Sequence, residues 1–173
     1  MQNYIVIFGI PKKVEEKIKN AYELTFNKKV PISNLHLTLL PPFSLTKDDG
    51  LAHLKEDLNK LSSITIEASI SSPNLFSNPG ETILYLPVNP EKEIIKIHDR
   101  LDYSSKDIIK FETSLYHTDE VPPFLAHISL DYNFTFNSKT LTKLEENLGN
   151  ITFKLTKPIL MVKTASGNWK IIS

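Results

Sequence analysis

The sequence predicts an α+β fold: a bilobal, duplicated domain of two antiparallel β-sheets with helices on the outer faces and a central cleft. Three observations carry this prediction. The order strand, helix, histidine-bearing strand, helix, strand occurs twice along the 173 residues. The two histidine strands, Leu35-His36-Leu37-Thr38-Leu39 and Ala126-His127-Ile128-Ser129-Leu130, lie about half a chain length apart. A stretch rich in Asn, Ser, Pro and Gly at 74–80 divides the chain near its middle. The expected organisation is one bilobal domain over 1–173, with halves near 1–73 and 81–173 that can exchange strands between their sheets.

In chain order, residues 3–10 are β-rich and end at Pro11, and Val14, Ile18, Ala21 and Tyr22 then recur at helical spacing. Pro31 and Ser33-Asn34 mark a turn into the first histidine strand, which Pro41-Pro42 is expected to stop because proline cannot donate to a ladder. Thr46 to Asp49 reads as a helix start, with Leu51, Leu54, Leu58 and Leu61 as its apolar stripe, and Ile64 to Ile70 alternates as a half-buried strand. After the loop assigned to 74–80, Thr82 to Val88 is a strand and Pro90 opens a helix bearing Ile94, Ile95, Ile97 and Leu101. Residues 104–124 lack periodicity apart from a short strand at Ile108 to Phe111, and loops of this length commonly carry function. The second histidine strand leads into a helix at 138–148, strands near 151–156 and 158–164, a turn at Ser166-Gly167-Asn168 and a last strand at Trp169 to Ile172.

Composition narrows the function classes. Formal net charge is zero, and Arg100 is the single arginine among 20 basic residues. A broad electrostatic grip on duplex DNA or an anionic membrane is therefore not expected, nor are bidentate arginine forks on phosphate. The absence of cysteine removes disulfides, thiolate zinc sites and cysteine nucleophiles. No apolar run approaches the roughly 18 residues of a membrane span. A short N-terminal strand followed directly by a charged helix does not read as a secretory leader, so the expectation is a cytoplasmic monomer.

Side chains at i and i+2 of a strand leave on the same face, so each motif pairs an imidazole with an alcohol while the flanking aliphatics point into a core. Two imidazoles on opposite sides of a phosphorus can act as base and acid, because an ordinary pKa near 6.5 lets one be neutral while the other is protonated. Thr38 and Ser129 can then donate to the non-bridging oxygens. The predicted catalytic pair is His36 and His127, with Thr38 and Ser129 as phosphate-binding groups, no metal and no cofactor. A lone His-x-Thr in a strand carries little information; two in equivalent places carry much more. His53 and His98 read as solvated helix residues, while His117, beside Tyr116 in the long loop, is a candidate for the cleft mouth. Tyr85, Phe43 and Tyr132 are candidates for base stacking or the cleft rim, against the alternative of ordinary packing.

At these residues the sequence resembles the two-histidine (2H) phosphoesterase superfamily, which includes bacterial 2′-5′ RNA ligase-like proteins and cyclic phosphodiesterases. Its signature is two His-x-(Thr or Ser)-x motifs, standing here as His36-Leu37-Thr38-Leu39 and His127-Ile128-Ser129-Leu130. Pro31 and Leu35 before the first motif, Pro123-Phe124 before the second and the tail Gly167-Asn168-Trp169-Lys170 also match. The resemblance implies a bilobal fold of two antiparallel sheets, metal-independent chemistry, and substrates such as 2′,3′-cyclic phosphates or 2′,5′-linked oligonucleotides. One departure concerns the substrate. Many relatives carry an arginine or aromatic after the second motif, whereas Asp131-Tyr132 follows here. Strand parity turns Asp131 toward His127 and Ser129, where it would repel a phosphate unless the strand bulges or a lysine compensates; the plain alternative is a strand end turning to solvent. Without a nearby arginine a long polyanion would depend on lysines such as Lys154 or Lys163, so a small nucleotide or RNA end is the expected partner. A phosphodiesterase is the first reading. The others are a non-catalytic nucleotide- or RNA-binding module using the same cleft, and a hydrolase of cyclic or 2′,5′-linked signalling nucleotides.

Overall fold

A computed structural model describes residues 2–78, 81–112, 123–135 and 138–173. The candidate His117 lies outside the described residues. The chain folds as β1 (Asn3–Gly9), α1 (Lys12–Phe26), β2 (His36–Leu45), α2 (Gly50–Lys60), β3 (Ile66–Ile70), β4 (Asn74–Asn78), β5 (Glu81–Asn89), α3 (Glu91–Ser105), β6 (Ile109–Phe111), β7 (His127–Asp131), α4 (Ser138–Leu148), β8 (Thr152–Leu155), β9 (Ile159–Lys163) and β10 (Trp169–Ile171). No described helix is long and apolar enough to cross a membrane.

The architecture is α+β, and every strand pairing among the described residues is antiparallel. Where two sheets are expected from the sequence, the pairings run in one path, β10-β9-β1-β2-β7-β5-β3-β8, with β4 on β5 and β6 on β2. Long β5 is the reason. Its residues Leu84 to Pro87 pair with β7, while Val88 and Asn89 pair with β3, so one strand hands the ladder on. Strand β3 from the first half thus joins β5, and β9 from the second half joins β1.

Two local expectations give way to tertiary context. Pro41-Pro42 does not end the histidine strand, which continues to Leu45. On the β1 side the register jumps from Leu40↔Val6 to Phe43↔Tyr4, so the prolines sit in an irregularity where no ladder N–H is required. On the other edge β6 begins its pairing at Phe43, and Pro42 contributes only its carbonyl, accepting from the Glu112 N–H. Likewise, Asn74–Asn78 is a strand rather than a loop, paired residue for residue with Glu81 to Tyr85.

The helices follow their sequence patterns. In α1 the buried stripe is Ile18, Ala21 and Tyr22, and the helix ends where Asn27 takes the left-handed conformation and its N–H bonds the Glu23 carbonyl. Helix α3 buries Ile94, Ile97 and Leu101, with Glu91 and Glu93 in its first turn, where acidic groups complement the helix dipole. Helix α1 packs against α4, and α3 lies against β2 and β5. Leu37, Leu39, Leu84, Leu86, Ile128 and Leu130 are fully buried and join one continuous core. That core fixes which face of β2 and β7 remains open.

Candidate functional site

The two histidine strands are neighbours, joined through the pairing Leu37↔Ile128. In an antiparallel ladder this register sets His36 opposite Ser129 and Thr38 opposite His127. Leu37 and Ile128 are fully buried, so the four polar residues leave on the other face, each half-buried. Flanking pairings extend this into two rows across the sheet. One runs Asn74, Tyr85, Ser129, His36, Gly9, and the other Pro87, His127, Thr38, Ile7, Ile159.

Both rings are held alike. His36 Nδ1 lies 3.0 Å from the Asn34 carbonyl, and His127 Nδ1 lies 2.7 Å from the Leu125 carbonyl, in each case two residues back along the chain. A carbonyl can only accept, so Nδ1 carries the hydrogen and Nε2 is left for proton transfer.

The surroundings of the two rings differ. Phe76 stacks on Tyr85 at 4.0 Å, and both meet the His127 ring edge-on, at 5.1 and 5.4 Å. Beside His36 the corresponding residue is Gly9, which is exposed and has no side chain. Burial pushes the His127 pKa below its ordinary 6.5, outweighing the Leu125 hydrogen bond that would raise it; the neighbouring His36 charge adds to the depression. The neutral imidazole is the favoured form there.

Asp131 does not face the cleft. Tyr85 pairs with Ser129 but Leu84 pairs with Asp131, so β7 carries one extra residue, Leu130, at a bulge that reverses the parity. The carboxylate, only 5% exposed, turns toward α1. There it accepts hydrogen bonds from the Tyr22 hydroxyl at 2.6 Å, the Lys28 ammonium at 2.8 Å and the Asn133 N–H at 3.2 Å. Burial alone would raise the Asp131 pKa, but Lys28, Tyr22 and Asn133 together hold it below the ordinary value. Burial, reinforced by the Asp131 carboxylate, pushes the Tyr22 phenol far up.

Other expectations are corrected. Phe43 is fully buried and stacked on Tyr4 at 5.9 Å, so it offers no platform for a base. Tyr85 is 5% exposed with a face covered by Phe76, which makes it a wall behind His127 rather than a stacking surface. Tyr132, 44% exposed on the bend after β7, keeps an open ring. Lys154 pairs with Glu67 at the β8–β3 end of the sheet, and Lys163 on β9 lies near Asn3, at the opposite end of β1 from Gly9 and His36. Neither lysine reaches the motifs.

His98 is not a freely solvated residue. Its Nδ1 donates to the Leu39 carbonyl at 2.7 Å and its ring stacks on Phe124 at 4.0 Å, tying β2 to the segment that enters β7. The signal was present, since His98 sits four residues after Ile94 and three before Leu101 on the buried stripe. Phe76 was hidden inside a stretch whose Asn, Ser, Pro and Gly content reads as loop. Tyr22 was visible as a core position, and a buried phenol calls for a hydrogen-bond partner. Among the described residues no group of three or more His, Cys, Asp or Glu is placed to hold a metal ion.

The antiparallel α+β fold that sets these strands side by side is similar to that of LigT. Over 99% of this chain and 93% of theirs, Escherichia coli LigT in apo form superposes with a TM-score of 0.64 at 13% identity, and LigT complexed with 3′-AMP with a TM-score of 0.61 at 14%. TT0787 of Thermus thermophilus matches the whole chain and 96% of its own length, with a TM-score of 0.61 at 16% identity. In sequence, the chain is similar to two curated proteins named "Putative phosphoesterase". The one from Bacillus licheniformis is 27% identical and the one from Bacillus pumilus 30%, each over 104 residues and 58% of this chain. The match spans 59% and 58% of those two proteins' lengths. No family model matches the chain. The chain is thus similar in sequence to proteins named putative phosphoesterases over part of their length, and similar in fold to LigT and TT0787.

Proposed function

We propose that the chain is a phosphodiesterase that opens a 2′,3′-cyclic phosphate or a 2′,5′-phosphodiester of a small nucleotide or RNA end, using His127 as base and His36 as acid. The observation that carries this reading is the Leu37↔Ile128 pairing, which gives four polar groups one face and, among the described residues, leaves both Nε2 atoms without a hydrogen bond. The relatives' phosphoesterase names and the 3′-AMP complex of E. coli LigT support the substrate class.

In this mechanism neutral His127 Nε2 takes a proton from water as the water oxygen forms its bond to phosphorus. The ester P–O bond on the opposite side breaks, and protonated His36 gives its Nε2 proton to the leaving oxygen. Thr38 and Ser129 hydroxyls donate to the non-bridging oxygens, whose charge rises in the transition state. The assignment of roles follows the surroundings: His127 is the ring enclosed by aromatics and held neutral, and His36 is the ring beside the open flank at Gly9. Every proton transfer falls to a protein group, so the reaction proceeds without a metal.

The test is incubation with nucleoside 2′,3′-cyclic phosphates and 2′,5′-dinucleotides in the presence of a chelator, followed by chromatography. Opened products in the chelator support the reading. Saturable binding of either compound without any product supports a non-catalytic nucleotide-binding module instead.

A further inference from the structure

Helix α1 touches the approach to one motif and the exit from the other. The Glu15 carboxylate accepts the Leu35 N–H at 3.0 Å, one residue before His36. It is itself steadied by Lys19 at 2.7 Å, and the Lys19 ammonium also donates to the Ser33 carbonyl in the turn before β2. Tyr22, two turns after Glu15, donates to Asp131, two residues past Ser129, and Lys28 just beyond the helix closes on the same carboxylate oxygen. Glu15, Ile18 and Tyr22 follow an i, i+3, i+7 spacing and so share one helix face, with Ile18 and Tyr22 fully buried. Between the two motifs the β2–β7 ladder supplies a single residue pair, Leu37↔Ile128. One pair fixes a register but leaves the angle between two strands free to vary.

We propose that α1 is a brace that sets the spacing of His36 and His127, with Glu15 and Asp131 as positioning residues at its two ends. The inference rests on the two-histidine reading above and adds how that geometry is held. Asp131 is thereby part of the scaffold behind the cleft. The bulge at Leu130 is what turns it to that side.

The test compares Glu15→Ala, Asp131→Asn and the double variant on the cyclic phosphate that the wild-type chain turns over. Leu58→Ala, a buried position on α2, controls for general destabilisation. Each single change is expected to lower kcat about tenfold or more at nearly constant KM, since small misplacements of reacting groups are costly. Because releasing either end releases the same brace, the double variant should lose no more than the worse single variant. Glu15→Gln should keep near wild-type kcat, as its amide oxygen still accepts the Leu35 N–H. Multiplying losses in the double variant, or losses matched by Leu58→Ala at equal melting temperature, would overturn the brace. Imidazole ¹H–¹⁵N signals give a readout independent of turnover: those of both His36 and His127 should move in each single variant while those of exposed His53 stay. Unmoved His36 and His127 signals overturn the brace. A wild-type chain without turnover overturns the proposed function and leaves these signals to decide the brace.

Discussion

Leu37 and Ile128 face each other across β2 and β7, both fully buried. Each is the central residue of a His-x-(Thr/Ser) motif, so this one contact turns two separate tripeptides into a single polar patch. Truncating either side chain opens a cavity directly beneath the patch. Leu37→Ala and Ile128→Ala should each lose about 2–5 kcal/mol in urea unfolding. A loss below about 1 kcal/mol in both would mean that the contact does not support the site.

Removal of either imidazole tests the proposed chemistry most directly. His36→Ala and His127→Ala should each lower kcat about 10²–10⁴-fold on a 2′,3′-cyclic phosphate, the range expected of general acid–base catalysis. Wild-type turnover in either variant is incompatible with the two-histidine mechanism.

Thr38 and Ser129 are assigned to the charged oxygens of the phosphoryl group. Thr38→Val and Ser129→Ala should reduce kcat by up to about 10²–10³-fold, whereas Thr38→Ser, which keeps the hydroxyl, should stay near wild type. Steady-state kinetics on the three variants separates a hydroxyl effect from a packing effect.

The pH dependence follows from the depressed pKa of His127. A base that stays neutral below the ordinary 6.5 places the acid limb of kcat/KM at a pH lower than 6.5. Phe76→Ala admits water to the ring, weakens the desolvation that causes the shift, and should move that limb upward. The linked stability has the same origin: the unfolded chain takes up the proton first, so the folded state loses stability as pH falls from 6.5 toward the native value. An NMR titration of His127 in the two proteins measures the shift, and an unchanged midpoint would remove Phe76 as its cause.

Asp131 has the same sign in a more acidic window. Its folded pKa lies below the ordinary 3.8, so its contribution is complete above that value and is lost as pH falls through the depressed one. Lys28→Met removes one of the three donors and leaves the buried carboxylate less well satisfied. A loss of about 1–3 kcal/mol at neutral pH is expected, together with acid unfolding that begins at higher pH. Circular dichroism against pH for wild type and Lys28→Met decides it.

Much of this was legible in the chain itself. Alternation placed His36 with Thr38 and His127 with Ser129 on single faces, and the 3.6-residue period located Ile18, Ala21 and Tyr22 on α1 and Ile94, Ile97 and Leu101 on α3. These are local properties, because strand and helix periods are set by the backbone of each element. Tertiary structure decided what depends on a distant partner. It made β2 and β7 neighbours, carried a strand through Pro41-Pro42 at a register jump, and paired Asn74–Asn78 with β5. It also turned Asp131 away from the cleft at the Leu130 bulge. A bulge shifts every later side chain to the other face, and whether it forms depends on partners such as Tyr22 and Lys28, more than 100 residues away in the chain. The sequence by itself thus determined which groups could do the chemistry; their common face, the enclosure of His127 and the fixing of Asp131 came from contacts between residues far apart in the chain.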